Sequence, residues 1–373
     1  MRIAYIYRDF SSKGGLERIL CEKASALADT GHDVHIVCSH HGGKPLFAYP
    51  LDRRVHVHDI GLEFAGASGR IALPFKWLKY KFEECRAVAK ILDDIHADIV
   101  VATPIWLPMS IFRNRRKVVL ESHVSRNKLN TSSIAPAVHR YVNRMAEKKA
   151  EAVVALTSED AALWSKARRT VVIPNFTSLT GCDGTRMQCS KRAIAAGRLH
   201  EQKDFGLLTE AWASVAEKHP DWSLDIYGDG PERQYLQNKI NELGLSHTIF
   251  LRGNSDCIEK EYSAHDFLVL SSRREGFGLV LAEAMACGCP CISVDCECGP
   301  REIIADGNDG LLVPYRDRTR DERVRLLSEA VCKMIENPGM RARFSEAGRK
   351  NMRRFDKEAI MRQWINLFEE ITG

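Results

Sequence analysis

Glu275 and Glu283 stand eight residues apart in the stretch Ser271 to Gly288, which reads S-S-R-R-E-G-F-G-L-V-L-A-E-A-M-A-C-G. Carboxylates so placed accept hydrogen bonds from hydroxyl groups or stabilise developing positive charge. Between them lie Gly276, Phe277, Gly278 and Leu279, and glycines there let the backbone approach a ligand closely. The run His265-Asp-Phe-Leu-Val-Leu before the loop is rich in strand formers, and Leu, Ala, Met and Glu dominate after it. The unit therefore reads strand, glycine loop, helix. Such a helix aims its first free N–H groups, with its positive dipole end, at whatever sits above the loop. An anion fits there. Taken alone, Glu283 is equally a residue favoured by the dipole and Glu275 a surface charge, so the rest of the chain has to decide.

Other residues of suitable type recur at strand ends. Arg198 and Lys203 stand in Gly197-Arg198-Leu-His-Glu-Gln-Lys203, just past the apolar run Arg192 to Ala196, and Gly228-Asp229-Gly230 follows the run Leu224 to Tyr227. His123 follows Val118-Val-Leu at the carboxyl end of an expected strand, with Arg126 and Lys128 close behind. Open α/β sheets place their chemistry at such ends. A lone His is more often structural, and unmatched loop cations are ordinarily solvated.

The elements that must position these residues alternate along the chain. Strand Arg2 to Tyr7, a polar loop, Gly14-Gly15, a helical pattern from Leu16 to Thr30 and strand Val34 to Ser39 make a βαβ opening without the G-x-G-x-x-G of a dinucleotide fold. Strands at Val55 to Ile60, Ile99 to Ala102, Val118 to Leu120 and Val153 to Leu156 follow, with a helix over about Lys76 to Leu92 and a capping sequence at Thr157-Ser-Glu-Asp. Residues 177–190 are polar, glycine-containing and aperiodic, the pattern of a linker. A second β/α series then runs from Arg192 to Val294 and ends in helices at about 322–336, 340–351 and 357–371. The expected organisation is a first domain 1–176, linker 177–190, second domain 191–355 and a final helix 356–373.

Length and composition agree with two soluble α/β domains. The 373 residues are 45% hydrophobic and 28% charged, and no run approaches the ~20 apolar residues of a membrane span. The N-terminus lacks a signal-peptide core, so the expectation is a cytoplasmic chain whose twelve cysteines stay reduced. Cys287, Cys289 and Cys291 do not have the spacing of a zinc site. Residues 1–175 hold 27 Lys and Arg against 18 Asp and Glu, a net charge of +9, while the remainder holds 27 against 31, a net of −4. The basic half includes Arg70 to Lys90, where Phe75, Trp77, Tyr80 and Phe82 interleave with Lys76, Lys79, Lys81 and Arg86. That segment either packs an apolar stripe on the sheet or lies on an anionic bilayer at the cytoplasmic face of a membrane. No nucleic-acid motif accompanies the charge.

In order and spacing, Gly14-Gly15 with Glu17, His123, Ile173-Pro174-Asn175, Gly197-Arg198 with Lys203, Gly228-Asp229-Gly230 and the E-x₇-E pair Glu275 and Glu283 resemble a family 4 retaining glycosyltransferase of the GT-B fold, of bacterial surface-polysaccharide type. The resemblance implies two Rossmann-like β/α/β domains facing across a cleft, with the last helix returning to the first domain. It implies transfer of a hexose or N-acetylhexosamine from a UDP-sugar, with retention, to a saccharide acceptor such as a polyprenyl-diphosphate oligosaccharide. By the same resemblance Glu275 and His123 are catalytic or positioning groups at the donor sugar. Gly14, Gly15, Arg198, Lys203, Gly228, Gly230, Gly276, Phe277, Gly278, Leu279 and Glu283 bind the donor, with Glu283 on the ribose. Arg126 and Lys128 are placed at an acceptor phosphate. The chain has no D-x-D, and the resembled family is metal-independent, so no metal or other cofactor is expected. The competing reading is a non-catalytic partner subunit that keeps the fold and binds sugar without turnover.

Overall fold

The computed structural model describes residues 1–39, 46–62, 73–104, 107–126, 136–177 and 189–373, of which 73–78 and 136–139 as backbone only. The chain divides into two compact units, Met1–Pro174 with Ile360–Gly373, and Asn175–Ala359. Most of the segment read as a linker, residues 178–188, lies outside the described residues, as do Arg70 to Ala72.

The first unit is built on seven parallel strands: β1 (Arg2–Ile6), β2 (Asp33–Cys38), β3 (His56–Asp59), β4 (Ile99–Ala102), β5 (Lys117–Ser122), β6 (Ala152–Ala155) and β7 (Thr170–Val172). They lie in the order β3-β2-β1-β4-β5-β6-β7. The inner strands are buried along nearly their whole length, as sheets covered on both faces require. One face packs Val88, Leu92 and Ile95 of α2 (Leu73–Ile95), Ile111 of the 3-10 segment Met109–Arg115 and Ala146 of α3 (Pro136–Lys149) onto Ala4, Ile6, Val100, Val118, Leu120 and Val153. Tyr5 and Glu121 alternate with these residues along β1 and β5, and side chains of a strand alternate between faces. The basic, aromatic helix thus packs an apolar stripe inward. After β6, Thr157 caps α4 (Ser158–Ala162), its hydroxyl accepting from Asp160 N at 3.1 Å.

The second unit holds six parallel strands, β8 (Arg192–Ala196), β9 (Ser223–Tyr227), β10 (Ile249–Gly253), β11 (Phe267–Leu270), β12 (Cys291–Val294) and β13 (Gly310–Val313), in the order β10-β9-β8-β11-β12-β13. Both units are therefore Rossmann-like. In each, strand order reverses beside the first strand, between β1 and β4 and between β8 and β11. Loops at that switch form the ligand crevice of such sheets. Helices α5 (Phe205–Lys218) and α10 (Arg320–Glu336) supply Leu208, Trp212, Leu327 and Val331 to the second core. Strand β13 was not legible in advance: its four residues Gly-Leu-Leu-Val are too few to show a period, and it exists because Cys291–Val294 pair with it.

A fully buried carboxylate ties three strands of this unit together. Asp225 on β9 accepts from Arg192 Nε on β8 at 2.9 Å, from Arg252 Nε on β10 at 2.6 Å and contacts His265 Nε2 at 2.9 Å, just before β11. Burial pushes its carboxyl up, but His265 and the two guanidinium groups outweigh it and hold it at about 2.

The last helix, α12 (Lys357–Thr372), starts in the second unit and finishes in the first. Its Trp364 and Phe368 are buried with ring centroids 5.5 Å apart.

Candidate functional site

The loops after β8 and β11 flank the switch of the second sheet and are laced together. Ser271 Oγ donates to Lys203 O at 2.9 Å, Arg273 N to Gln202 O at 2.8 Å and Gln202 Nε2 to Arg274 O at 3.1 Å. Across them, Lys203 Nζ donates to Glu275 Oε1 at 2.7 Å, with Glu275 only 7% exposed. Glu275 N in turn donates to Glu297 O at 3.1 Å. Arg198 sits on the same β8 loop, exposed and in no ion pair among the described residues.

Beyond Glu275 the backbone turns at Gly278, whose φ of +96° is a left-handed conformation that favours glycine, and α8 (Leu279–Ala286) begins. Phe277 is buried edge-on against Phe355, with ring centroids 5.2 Å apart, which fixes the loop from below. Glu283 lies one turn into α8, buried, with Tyr262 Oη donating to its Oε2 at 3.4 Å. The Gly228-Asp-Gly230 turn follows β9 and presses on the β8 loop: a Cβ on Gly228 would stand 1.9 Å from Gly197 O, and one on Gly230 2.3 Å from Leu199 O. Only glycine allows that approach.

Arg198, Lys203, Glu275, Gly276, Phe277, Gly278, Leu279 and Glu283 thus lie on two neighbouring strand ends of one sheet. Two cationic side chains and a helix N-terminus there can compensate an anion, and two buried carboxylates can accept from hydroxyl groups. Cys289, Cys291, Cys296 and Cys298 behind this loop are buried and pack as small hydrophobes. Cys287 departs from the expectation of a wholly reduced set, because it is disulfide-bonded. Among the described residues no group of three His, Cys, Asp or Glu side chains is placed to hold a metal ion.

In the first unit, Gly14 caps α1 (Gly15–Asp29), and Glu17 in its first turn accepts from Tyr7 Oη at 2.7 Å and Ser12 Oγ at 3.0 Å. These bonds order the loop after β1. His123 follows β5, its side chain 4% exposed, with Nε2 2.9 Å from Glu121 Oε1. Arg126 is held by structure on several sides: Nη2 donates to Glu147 Oε2 at 2.8 Å, its guanidinium lies 4.7 Å from the Trp164 ring centroid, and its backbone N donates to Asp160 Oδ1 at 2.7 Å. Nε and Nη1 have no hydrogen-bond partner among the described residues. Lys128 lies outside the described residues.

Sequence reasoning passed over Lys23 and Glu121. Lys23, 2% exposed, pairs with Glu121 Oε1 and lies 4.1 Å from the Trp364 ring centroid. The signal was present: Lys23 falls four residues after Ile19 and four before Leu27 on the apolar stripe of α1, and Glu121 extends an apolar strand run.

Two parallel Rossmann-like sheets with a closing helix shared between them define the GT-B class of transferases. The glycosyl transferases group 1 model matches residues 188–351, and the glycosyltransferase family 4 model matches residues 13–180. The chain belongs to this family of glycosyltransferases. It is 28% identical over 366 residues to the amylovoran biosynthesis glycosyltransferase AmsD of Erwinia amylovora, covering 96% of each chain. It is 26% identical over 408 residues to an exopolysaccharide phosphotransferase of Streptomyces coelicolor, covering all of this chain but 41% of that protein. A variant of S. aureus TarM, solved with fondaparinux, α-GlcNAc-glycerol and UDP, superposes with a TM-score of 0.80 at 16% identity, over 98% of this chain and 99% of that one.

Proposed function

We propose that this glycosyltransferase moves a hexose or N-acetylhexosamine from a UDP-sugar to a saccharide acceptor in cell-surface polysaccharide synthesis, with retention at the anomeric carbon. The observation that carries the reading is the cluster at the switch of the second sheet. Arg198 is a cation without an ion pair among the described residues, Lys203 on the same loop is held by Glu275, and α8 begins at Gly278. As the bond from the anomeric carbon to the diphosphate oxygen breaks, negative charge grows on the leaving phosphate, and these groups compensate it without a metal. Glu283 accepts from the ribose hydroxyls, and Glu275 from the sugar or stabilises positive charge at its anomeric carbon. The acceptor hydroxyl adds on the face the diphosphate leaves and passes its proton to the departing phosphate oxygen. In the first unit His123 and the Gly14-Gly15 turn are read as further contacts to the donor sugar.

Kinship with AmsD and the UDP in the TarM complex support the donor and the pathway class. The basic charge of the first half and the exposed Phe82 and Tyr141 favour a lipid-linked acceptor reached from an anionic membrane surface. No helix among the described residues is long and apolar enough to cross a membrane.

Thermal unfolding across a panel of nucleotide sugars tests this, because a ligand that binds only the folded state raises stability by RT ln(1 + [L]/Kd). UDP-hexoses or UDP-N-acetylhexosamines are expected to raise the midpoint. Stabilisation by another base alone would overturn the donor assignment, and stabilisation by a UDP-sugar without transfer to any saccharide acceptor would select the non-catalytic partner instead.

A further inference from the structure

The first unit contains a line of buried charge that the donor-binding scheme does not use. Lys23 on α1 and Glu121 on β5 are 2% and 0% exposed and form an ion pair. Trp364 of α12 lies over the ammonium, its ring centroid 4.1 Å from Nζ. Glu121 Oε1, the oxygen that meets Lys23, is also the one 2.9 Å from His123 Nε2. Glu121 Oε2 and Tyr5 Oη, both buried, have no hydrogen-bond partner among the described residues. Burying two charges is costly, and a well-packed apolar pair in their place is often as stable or more so. A charge pair placed beside a strand-end histidine therefore invites a reason other than stability.

The carboxylate is kept ionised. Burial pushes the Glu121 carboxyl up, but Lys23 and then His123 overcome it and hold it at about 2. An ionised carboxylate has no hydrogen to give. The contact falls outside hydrogen-bond geometry, but at 2.9 Å the negative charge of Oε1 favours a ring nitrogen that carries hydrogen over one that carries a lone pair, so Nε2 bears the proton. In a neutral imidazole the other nitrogen, Nδ1, is then the acceptor.

We infer that Glu121, held by Lys23, is a positioning residue that keeps His123 protonated at Nε2 and so presents Nδ1 as a hydrogen-bond acceptor to a sugar hydroxyl. This rests on the reading of His123 as a donor-sugar contact. Lys23 acts at one further remove: without it, the buried carboxyl gains a proton, becomes a donor and no longer dictates which ring nitrogen carries hydrogen. Trp364 shields the ammonium from water, so the last helix belongs to the same device.

Nitrogen-15 spectra of the full chain labelled at histidine read the tautomer directly, with His123 assigned from the spectrum of His123→Gln. The wild-type ring is expected to be protonated at Nε2, and a ring protonated at Nδ1 overturns the inference without any appeal to a variant. In Glu121→Gln and Lys23→Met the His123 signals should move toward a mixture of tautomers, with kcat for transfer lower by about ten- to a hundredfold, the range for partners that orient a histidine. UDP affinity should stay within about twofold, because its proposed contacts lie in the other unit. The double variant Lys23→Met with Glu121→Gln removes both buried charges and keeps the core neutral. Recovery of wild-type kcat in that double variant would reduce the pair to a structural role and sink the proposal. If the tautomer is as stated but His123→Gln transfers at the wild-type rate, the donor-sugar reading of His123 fails while the assignment of the proton stands.

Discussion

Lys203 and Glu275 are joined by a 2.7 Å ion pair that ties the loop after β8 to the loop after β11, across the switch of the second sheet. The same lysine thus faces a carboxylate and, in the proposed complex, a diphosphate. That double duty separates it from Arg198. Replacing Arg198 with Ala removes a charge-assisted contact and is expected to weaken UDP binding by about 1–3 kcal/mol. Lys203→Ala should cost more, since it also leaves the buried Glu275 uncompensated beside the anion. Calorimetric titration of UDP into both variants checks this, and wild-type affinity in both would remove the diphosphate assignment.

The Asp225 network sets an acid limit. Its carboxyl is held at about 2 against an ordinary 3.8, and that of Glu121 at about 2 against an ordinary 4.5. A depressed folded value favours the native state above the ordinary value, and the benefit is lost as pH falls toward the folded one. The part of the stability that these two carboxylates supply is therefore expected, in urea denaturation, to fall from about pH 5 toward about pH 2. Asp225→Asn removes the charge from a buried acceptor whose guanidinium partners are 35% and 42% exposed, and should cost about 1–3 kcal/mol at neutral pH, with a shallower acid slope in the second unit.

Gly228 has a φ of +129° and no room for a Cβ beside the Gly197 carbonyl. Gly228→Ala is expected to destabilise by about 3 kcal/mol or more and to weaken UDP binding, because the β8 loop must shift. A melting temperature equal to that of the parent would show that the turn can relax.

Trp364→Ala should cost about 3–5 kcal/mol, the usual range for emptying a buried aromatic site. Hydrogen exchange is expected to rise in Met1–Pro174 while Asn175–Ala359 stays protected, since Trp364 packs in the first unit. Uniform loss of protection would mean the two units unfold as one.

Phe82 and Tyr141 are 69% and 65% exposed on α2 and α3, helices that cover the same face of the first sheet, and Lys79, Arg86, Arg113, Arg115, Arg140 and Arg144 lie on the same two helices and the 3-10 segment between them. Flotation should show binding to anionic vesicles that weakens with salt and drops in Phe82→Ser with Tyr141→Ser. Equal flotation with neutral and anionic vesicles would leave α2 as a core helix only.

The parallel sheets were readable because buried strands such as Ile99–Ala102 and Cys291–Val294 are unbroken apolar runs, and because α4 begins at a legible capping sequence, Thr157-Ser-Glu-Asp. Glu275 and Glu283 were readable from glycine placement and spacing around one helix start. The Lys203 partner and the roles of Lys23, Glu121 and Asp225 were not, because each depends on residues 27 or more positions away being brought against it by strand pairing. Local pattern shows that a charge sits on an apolar stripe but not which opposite charge meets it. Arg126 shows the converse: its place near His123 in sequence says nothing of Glu147 and Trp164, which hold it in the fold.

Because residues 360–373 pack with the first 174 while residues 175–359 form a unit of their own, order of synthesis and order of completion are opposed. On the ribosome the first sheet emerges earliest, yet its Lys23 waits for Trp364, which is made after the whole second unit. The unit translated later can close first, and the earlier one stays an open intermediate, with a charged pair uncovered, until the last turns of α12 arrive.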